Sequence, residues 1–504
     1  MEQDATRQPP GRTIETDVCV IGAGPAGLVV GATLAAKGRD VVVLESGGAT
    51  FDVPVQDLSD GDTSGDAIER LGASRHRQVG GNSCLWNTPT LGGPGAKYVP
   101  LDPWDLSPRW PEALHGWPVE YQELLRFYER AQRLAMLGPF AYEASSWAGC
   151  GRAAIPPGAG ITSRVYQFGA RDALLQPLLA TLRRATNARL MTRATVVQLA
   201  TSASRATVTV ATPGGDRWQV QARRVVLATG AVENARLLLV AVHARGGVHD
   251  RSGWLGCGFM EHPRDRAMTL RPTTRDAYRV LAFYDRHEAA DGTTIAGRLA
   301  LDGEQPGHTL NASATLLPLI GVRRARLRAA LGPVGRSPAL RRWMPPEGHG
   351  WSLHPAPTRV FQGFTVLLNL EQPPHRENRV QLSSRRDLYG VPLPALHWQW
   401  DAADHARLVA LRQRVAHTLE DVGVGRVFVG GDPRPDPNAR HHAGTTRMHA
   451  DPRYGVVDAD GRVHGTDTLF VAGASTFPTA GFANPTLTIV AMAVRLADRL
   501  AAEP

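Results

Sequence analysis

The chain has 504 residues and a formal charge of +9, carried almost wholly by arginine, since Lys37 and Lys97 are its only lysines. That length allows two or three domains with a sizeable core, and arginine spread along the whole chain, with no basic-aromatic groove motif, speaks against a nucleic-acid surface. Cys19, Cys84, Cys150 and Cys257 are too widely spaced for a disulfide scaffold or a zinc site, so no metal is expected.

The opening "MEQDATRQPPGRTIETD" is polar and proline-bearing, without the apolar core of a signal peptide. No apolar run reaches the roughly 18 residues of a membrane span, so a cytoplasmic protein is expected. Val18 to Ile21 then read as a buried strand, followed by Gly22, Gly24 and Gly27 in a GxGxxG turn and by helical spacing from Leu28 to Ala36. Val41 to Val43 form a second strand leading to Glu45. The glycines serve a tight turn, close approach to a pyrophosphate and helix–strand packing. The helix start offers N–H donors to phosphates, and Glu45 is placed to accept from a ribose diol. These pieces in this order predict a dinucleotide site.

Further along, "RATVTVATPGGDRWQVQA" predicts a hairpin turning at Pro213-Gly214-Gly215. Val225 to Ala228 form a strand closed by Thr229-Gly230, and "DTLFVAGAST" supplies a third strand-then-glycine unit. A nucleotide site assembled from the start, middle and end of one chain favours FAD over NAD. The expected fold class is therefore α/β plus α+β. A Rossmann-like FAD-binding domain takes residues 13–95, 186–262 and 436–504. A substrate-binding domain, an antiparallel sheet with helices, takes 96–185 and 263–435. Within the latter, 359–382 read as two strands joined by a proline-rich turn, and Asp401 to Leu419 as an amphipathic helix. The arginine run over 322–343 reads as a solvated helix face.

With those pieces placed, the chain resembles the glucose–methanol–choline (GMC) family of FAD-dependent oxidoreductases from Thr16 to Leu500. "GAGPAGL", "LESGG", "LATGAVENARLLL", "FMEHPR" and "EQPPHRENRVQL" carry the likeness. The most specific part is "HHAGTTRM" followed by "PTAGFANPTLT". The latter is similar to the pyranose-oxidase-like branch, which pairs a catalytic histidine with an asparagine. Carried over residue by residue, the catalytic histidine is His441, four before Thr445, and its partner is Asn484, just ahead of Pro485. The implied FAD contacts are Gly22, Gly24, Pro25, Ala26, Gly27, Glu45, Ser46, Gly80, Gly81, Asn82, Ser83, Val197, Ala228, Thr229, Gly230, Gly473, Ala474, Asn484, Pro485 and Thr486. Trp86, His262, His442 and Phe477 are expected in or beside the substrate pocket.

The resemblance also implies a departure. Pyranose oxidases tether FAD through a histidine in the glycine-rich flavin loop, and Leu85 of "VGGNSCLWN" occupies that place. Non-covalent FAD is therefore expected, with Cys84 as a packed small residue. The implied activity is removal of a proton by His441, near neutral pKa, and of a hydride by flavin N5. The substrate expected is a small-molecule alcohol: a sugar, glycoside or amino-sugar polyol. Asn484 would hold the hydroxyl, and the helix after Pro485 would turn its positive end to the flavin. Dioxygen or another acceptor would reoxidise the cofactor. A non-redox lyase and a non-catalytic FAD-fold binding protein are the alternatives.

Overall fold

The computed structural model describes residues 2–110, 116–150, 152–158, 160–302, 309–320, 330, 350–430 and 434–503. The arginine-rich 322–343 stretch lies outside these, but for Ala330.

Apolar β-branched runs, Val18–Ile21, Val41–Leu44 and Val225–Leu227, form the centre of the first sheet. Its order is Glu2–Asp4, Ala188–Thr192, Val41–Leu44, Thr13–Ile21, Arg217–Leu227, Ala206–Ala211 and Thr195–Thr201. Leu469–Val471 adds in parallel beside the end of Arg217–Leu227. That long strand thus serves two purposes. Its first half makes the expected hairpin with Ala206–Ala211, and its last three residues pair with Cys19–Ile21 on one side and Leu469–Val471 on the other. The registers align Leu227 with both Ile21 and Val471, and Ile21 with Leu44. Gly22, Glu45, Ala228 and Ala472 therefore leave the sheet together at its carboxyl edge, where open parallel sheets hold their ligands.

The helix Pro25–Ala36 starts on proline, which needs no N–H partner there, and passes into Gly38 at φ +84°. It is apolar all round because it is covered all round. Val43 and Leu182 face its Gly31, and the helices Arg171–Arg184 and Thr486–Ala502 pack on it. Leu28, Val29, Val30 and Leu34 are fully buried, each worth roughly 1.5–3 kcal/mol over exposure.

The second sheet is antiparallel. Its order is Arg426–Val429, Arg264–Arg271, Phe361–Leu370, Ala312–Ile320, Thr294–Leu301, Ile161–Ala170, Gly93–Tyr98 and Thr88–Thr90, with His287–Glu288 beside Thr294–Leu301. Asp401 caps the helix Ala402–Asp421 by accepting from Asp404 N at 2.7 Å.

Two placements differ from the sequence reading, and a third adds to it. The boundary at residue 95 cuts the strand Gly93–Tyr98, which with Thr88–Thr90 belongs to the second sheet, because Gly95–Tyr98 pair with Gln167–Ala170. Glu2–Asp4, ahead of residue 13, joins the first sheet beside Ala188–Thr192. The two strands of 359–382 do not pair with each other. Phe361–Leu370 lies in the second sheet, whereas Arg379–Arg386 joins a separate one with Pro392–Trp398 and Asp62–Gly65. No helix among the described residues is long and apolar enough to cross a membrane.

Candidate active site

A cavity of about 560 Å³ opens where the carboxyl edge of the first sheet meets the second sheet. Its floor is a glycine cradle. A Cβ on Gly22 would lie 2.6 Å from Ala228 O, and one on Gly27 would lie 1.9 Å from Gly22 O. Gly81, at φ +52°, brings its own backbone against Gly24, so the two glycine loops touch. Three helices, Pro25–Ala36, Ala231–His243 and Thr486–Ala502, start at the cavity on Gly24, Gly230 and Pro485, none of which supplies a side-chain cap. Uncapped first turns leave N–H donors and partial positive charge for an anion. Glu45 is held at the rim by backbone N–H groups of Ala23 (2.8 Å) and Gly47 (2.9 Å). Glycine floor, helix ends and acidic rim fit a dinucleotide such as FAD.

Three chain segments are tied together here. Asn234 accepts from Thr229 N at 2.9 Å and donates to Ser475 Oγ at 2.9 Å and Ala472 O at 3.2 Å. Thr445 Oγ1 donates to Ala231 O at 2.6 Å, and Thr446 Oγ1 to Ser475 Oγ at 2.8 Å. The backbone of Gly444, Thr446 and Met448 runs along Ala474, Ser475 and Thr476. The "GTTRM" and "GAST" motifs are thus two sides of one ladder.

The histidine pair is sorted by a second ladder. Met260 and Ala443 exchange both backbone hydrogen bonds at 3.0 Å, as an antiparallel bridge. Extending that register sets Glu261 opposite His442 and His262 opposite His441, and adjacent residues point to opposite faces. The contacts agree. His262 Nδ1 lies 3.0 Å from His441 Nδ1, and His442 Nε2 lies 3.5 Å from Glu261 Oε2. On the far side of its ring, His441 Nε2 meets the Asn484 amide nitrogen at 3.2 Å. Glu261 Oε1 also accepts from His262 N and His441 N, both at 2.8 Å.

Burial dominates the electrostatics of this cluster. It lowers His441 well below an ordinary histidine, aided by His262, Arg264, Lys97 and His442. It takes His262 down to about 4 and His442 to about 3. It pushes Glu261 up to about 7, against the backbone N–H donors that favour its carboxylate. The 3.5 Å contact of His442 with Glu261 has ion-pair geometry, yet desolvation favours the neutral form of both partners. At neutral pH His441 therefore holds a free lone pair.

Most residues expected from the sequence share this cavity: Gly22, Gly24, Pro25, Ala26, Glu45, Ser46, Gly81, Asn82, Ser83, Trp86, Ala228, Thr229, Gly230, His441, His442, Gly473, Ala474, Asn484, Pro485 and Thr486 line it. Gly27 and Gly80 lie beneath the lining. Val197 is buried away from it, and Val196 stands in its place because neighbouring strand residues alternate faces. Phe477 is 1% exposed and packs on Trp117 at 5.0 Å between ring centroids, so it is core and not pocket wall. His262 reaches the site only through His441.

Sequence reasoning missed Glu261, Lys97, Arg264 and the group around Glu233. Glu233 sits among Arg77 (2.9 Å), Arg236 (3.2 Å) and Arg75 on the cavity wall, and those cations hold its carboxyl far below the usual range. Lys97 carried a signal, being one of two lysines in an arginine-rich chain. The only cluster among the described residues with metal-ligand spacing, His375, Asp401 and Asp404, lies apart from the cavity lining. There His375 Nε2 pairs with Asp404 Oδ2 at 2.8 Å and Arg407 with Oδ1 at 2.7 Å.

Known families match both ends of this arrangement. An FAD-binding-domain model matches residues 15–57, and a GMC oxidoreductase model matches 374–493, which holds His441 and Asn484. The chain belongs to the GMC oxidoreductase family. Paromamine 6'-oxidase of Streptomyces fradiae is 26% identical over 97% of this GMC oxidoreductase and 91% of its own length. A C-glycoside 3-oxidase of Arthrobacter globiformis is 38% identical over 133 residues; the match spans a quarter (25%) of each chain. Pyridoxine 4-oxidase from Mesorbium loti shares the fold with a TM-score of 0.55 at 17% identity, over 96% of this chain and 99% of that one. The protein is an FAD-dependent oxidoreductase of the GMC type.

Proposed function

We propose that this GMC oxidoreductase oxidises an alcohol group on a sugar or glycoside-type polyol, amino sugars included. The observation that carries the proposal is the meeting of His441 Nε2 and the Asn484 amide 3.2 Å apart, on the cavity wall beside the dinucleotide cradle. A hydroxyl that approaches both from the cavity can give its proton to Nε2 and receive a hydrogen bond from the Asn484 amide, which fixes the direction of its C–H bond. Bound FAD supplies the hydride acceptor. The Thr486–Ala502 helix points its first-turn N–H groups into the same space and favours negative charge there. Curated relatives named as oxidases of paromamine and of C-glycosides support the substrate class.

FAD is held without a covalent bond in this proposal. Leu85 lines the cavity where a tethering histidine would stand, and the Cys84 thiol donates to Val79 O at 3.5 Å with its pKa raised by burial. Acid precipitation of the purified protein should release all its flavin to the supernatant; flavin remaining with the pellet would refute this.

The deciding experiment is an anaerobic screen of sugars, glycosides and amino sugars for bleaching of the flavin band. His441→Ala should slow bleaching roughly 10³-fold with FAD still bound. Conversion of a substrate without any bleaching would instead establish a non-redox lyase.

A further inference from the structure

Two ring nitrogens facing each other at 3.0 Å need one proton between them, and His262 and His441 make such a contact. Which ring carries it is decided by the other nitrogen of His262. Its Nε2 lies 3.3 Å from the carbonyl oxygen of Ala480, which can only accept. A lone pair aimed at that oxygen would be repelled, so His262 Nε2 holds a hydrogen. With neutral rings, His262 Nδ1 is then the acceptor, and His441 Nδ1 must be the donor. A bare His441 Nε2 requires that Asn484 present its nitrogen there, as it does.

We propose that His262 is the positioning residue of this active site: anchored on Ala480 O, it holds His441 as the Nδ1–H tautomer, leaving Nε2 as the only basic nitrogen facing Asn484 and the cavity. The assignment rests on His441 being the proton acceptor. The same ring also holds Ala480 O, four residues before Asn484, so one side chain touches both the base and the loop that leads to its partner. His262 is 1% exposed and does not line the cavity, so it acts through His441 and not on substrate.

Two variants separate this role from mere packing. His262→Phe keeps a ring but has no acceptor. His262→Asn places an amide oxygen where Nδ1 stood and can still receive the His441 proton. His262→Phe should lower the limiting rate of anaerobic flavin reduction about tenfold, the worth of one hydrogen bond, with half-saturating substrate unchanged and FAD retained. His262→Asn should recover most of that loss. Nitrogen NMR of 15N-histidine-labelled holoenzyme, differenced against His441→Ala, should show the His441 proton on Nδ1 in the native chain and in His262→Asn. In His262→Phe the proton should be shared between the two nitrogens. A proton on His441 Nε2 in the native protein would overturn the assignment, as would His262→Phe reducing at the native rate or His262→Asn no faster than His262→Phe. The NMR readout needs no substrate, so it stands or falls apart from the alcohol-oxidation reading. That reading fails instead if His441→Ala reduces normally.

Discussion

At the scale of residues, Glu261 and the three histidines around it make acid stability a readable property. His262 titrates near 4 when folded, against about 6.5 for an ordinary histidine. Between those values the unfolded chain takes up a proton that the folded chain refuses. Stability is therefore fully present above 6.5 and is lost as pH falls towards 4, by on the order of 3 kcal/mol for this group alone. His442, lowered to about 3, acts with the same sign. Glu261, raised to about 7, acts with the opposite sign, because the folded state holds its proton more tightly from 7 down to about 4.5. Its contribution grows as pH falls. Glu261→Gln keeps the oxygen that accepts from His262 N and His441 N but removes the titration. Calorimetry from pH 7 to 4.5 should show Tm falling more steeply in the variant than in the parent, and parallel curves would contradict the raised Glu261. The motif made His441 and Asn484 legible as a pair. Glu261 was not legible, because one acid in "MEHPR" acquires its role only from a bridge at Met260 and Ala443, distant in sequence.

At the scale of elements, the GxGxxG turn was legible because its strand, turn, helix and second strand are contiguous and each follows a local rule. The hairpin at Pro213-Gly214-Gly215 and the Asp401-capped helix were legible for the same reason. The second sheet was expected as antiparallel, but its strand order was not legible, since neighbours such as Gly93–Tyr98 and Ile161–Ala170 are separated by long stretches of chain and carry no pairing signal. Val197 shows the smallest form of this failure, a one-residue slip in a strand that turns the side chain away from the cavity. The glycine turn also yields an element-scale test. A methyl group on Gly27 would meet Gly22 O at 1.9 Å, backbone against which no side chain can yield. Gly27→Ala must push the Pro25–Ala36 helix off the strand end and spoil the cradle it forms with Gly22. The variant should purify with FAD occupancy reduced tenfold or more, read from the ratio of flavin to protein absorbance. Full occupancy would show that the helix start does not hold the cofactor.

At the scale of the whole molecule, the second sheet curls about the cavity. Lys97 sits on Gly93–Tyr98 and Arg264 on Arg264–Arg271, five strand positions apart. In a flat sheet that spacing would be about 24 Å. Yet both residues line one cavity and both depress the protonation of His441, so the sheet brings its distant strands to the same point. Such a wall is positive. Lys97 and Arg264 line it near His441, whereas Arg75 and Arg77 there are paired with Glu233 and Arg440 with Glu69. Burial draws Lys97 below its ordinary value, while the Tyr166 hydroxyl beside it favours the ammonium form. A protonated amino group on the substrate would meet repulsion here that a hydroxyl would not. Of two glycosides differing only by amine for hydroxyl, the uncharged one should bleach the flavin faster at neutral pH. Lys97→Met, which keeps the side chain's length and removes its charge, should narrow that difference roughly tenfold. Raising the pH until the substrate amine is neutral should narrow it in the native enzyme as well. An amino sugar that outpaces its hydroxyl analogue, with a ratio indifferent to Lys97→Met, would mean that the cationic wall faces the cofactor and leaves the substrate to be selected by shape.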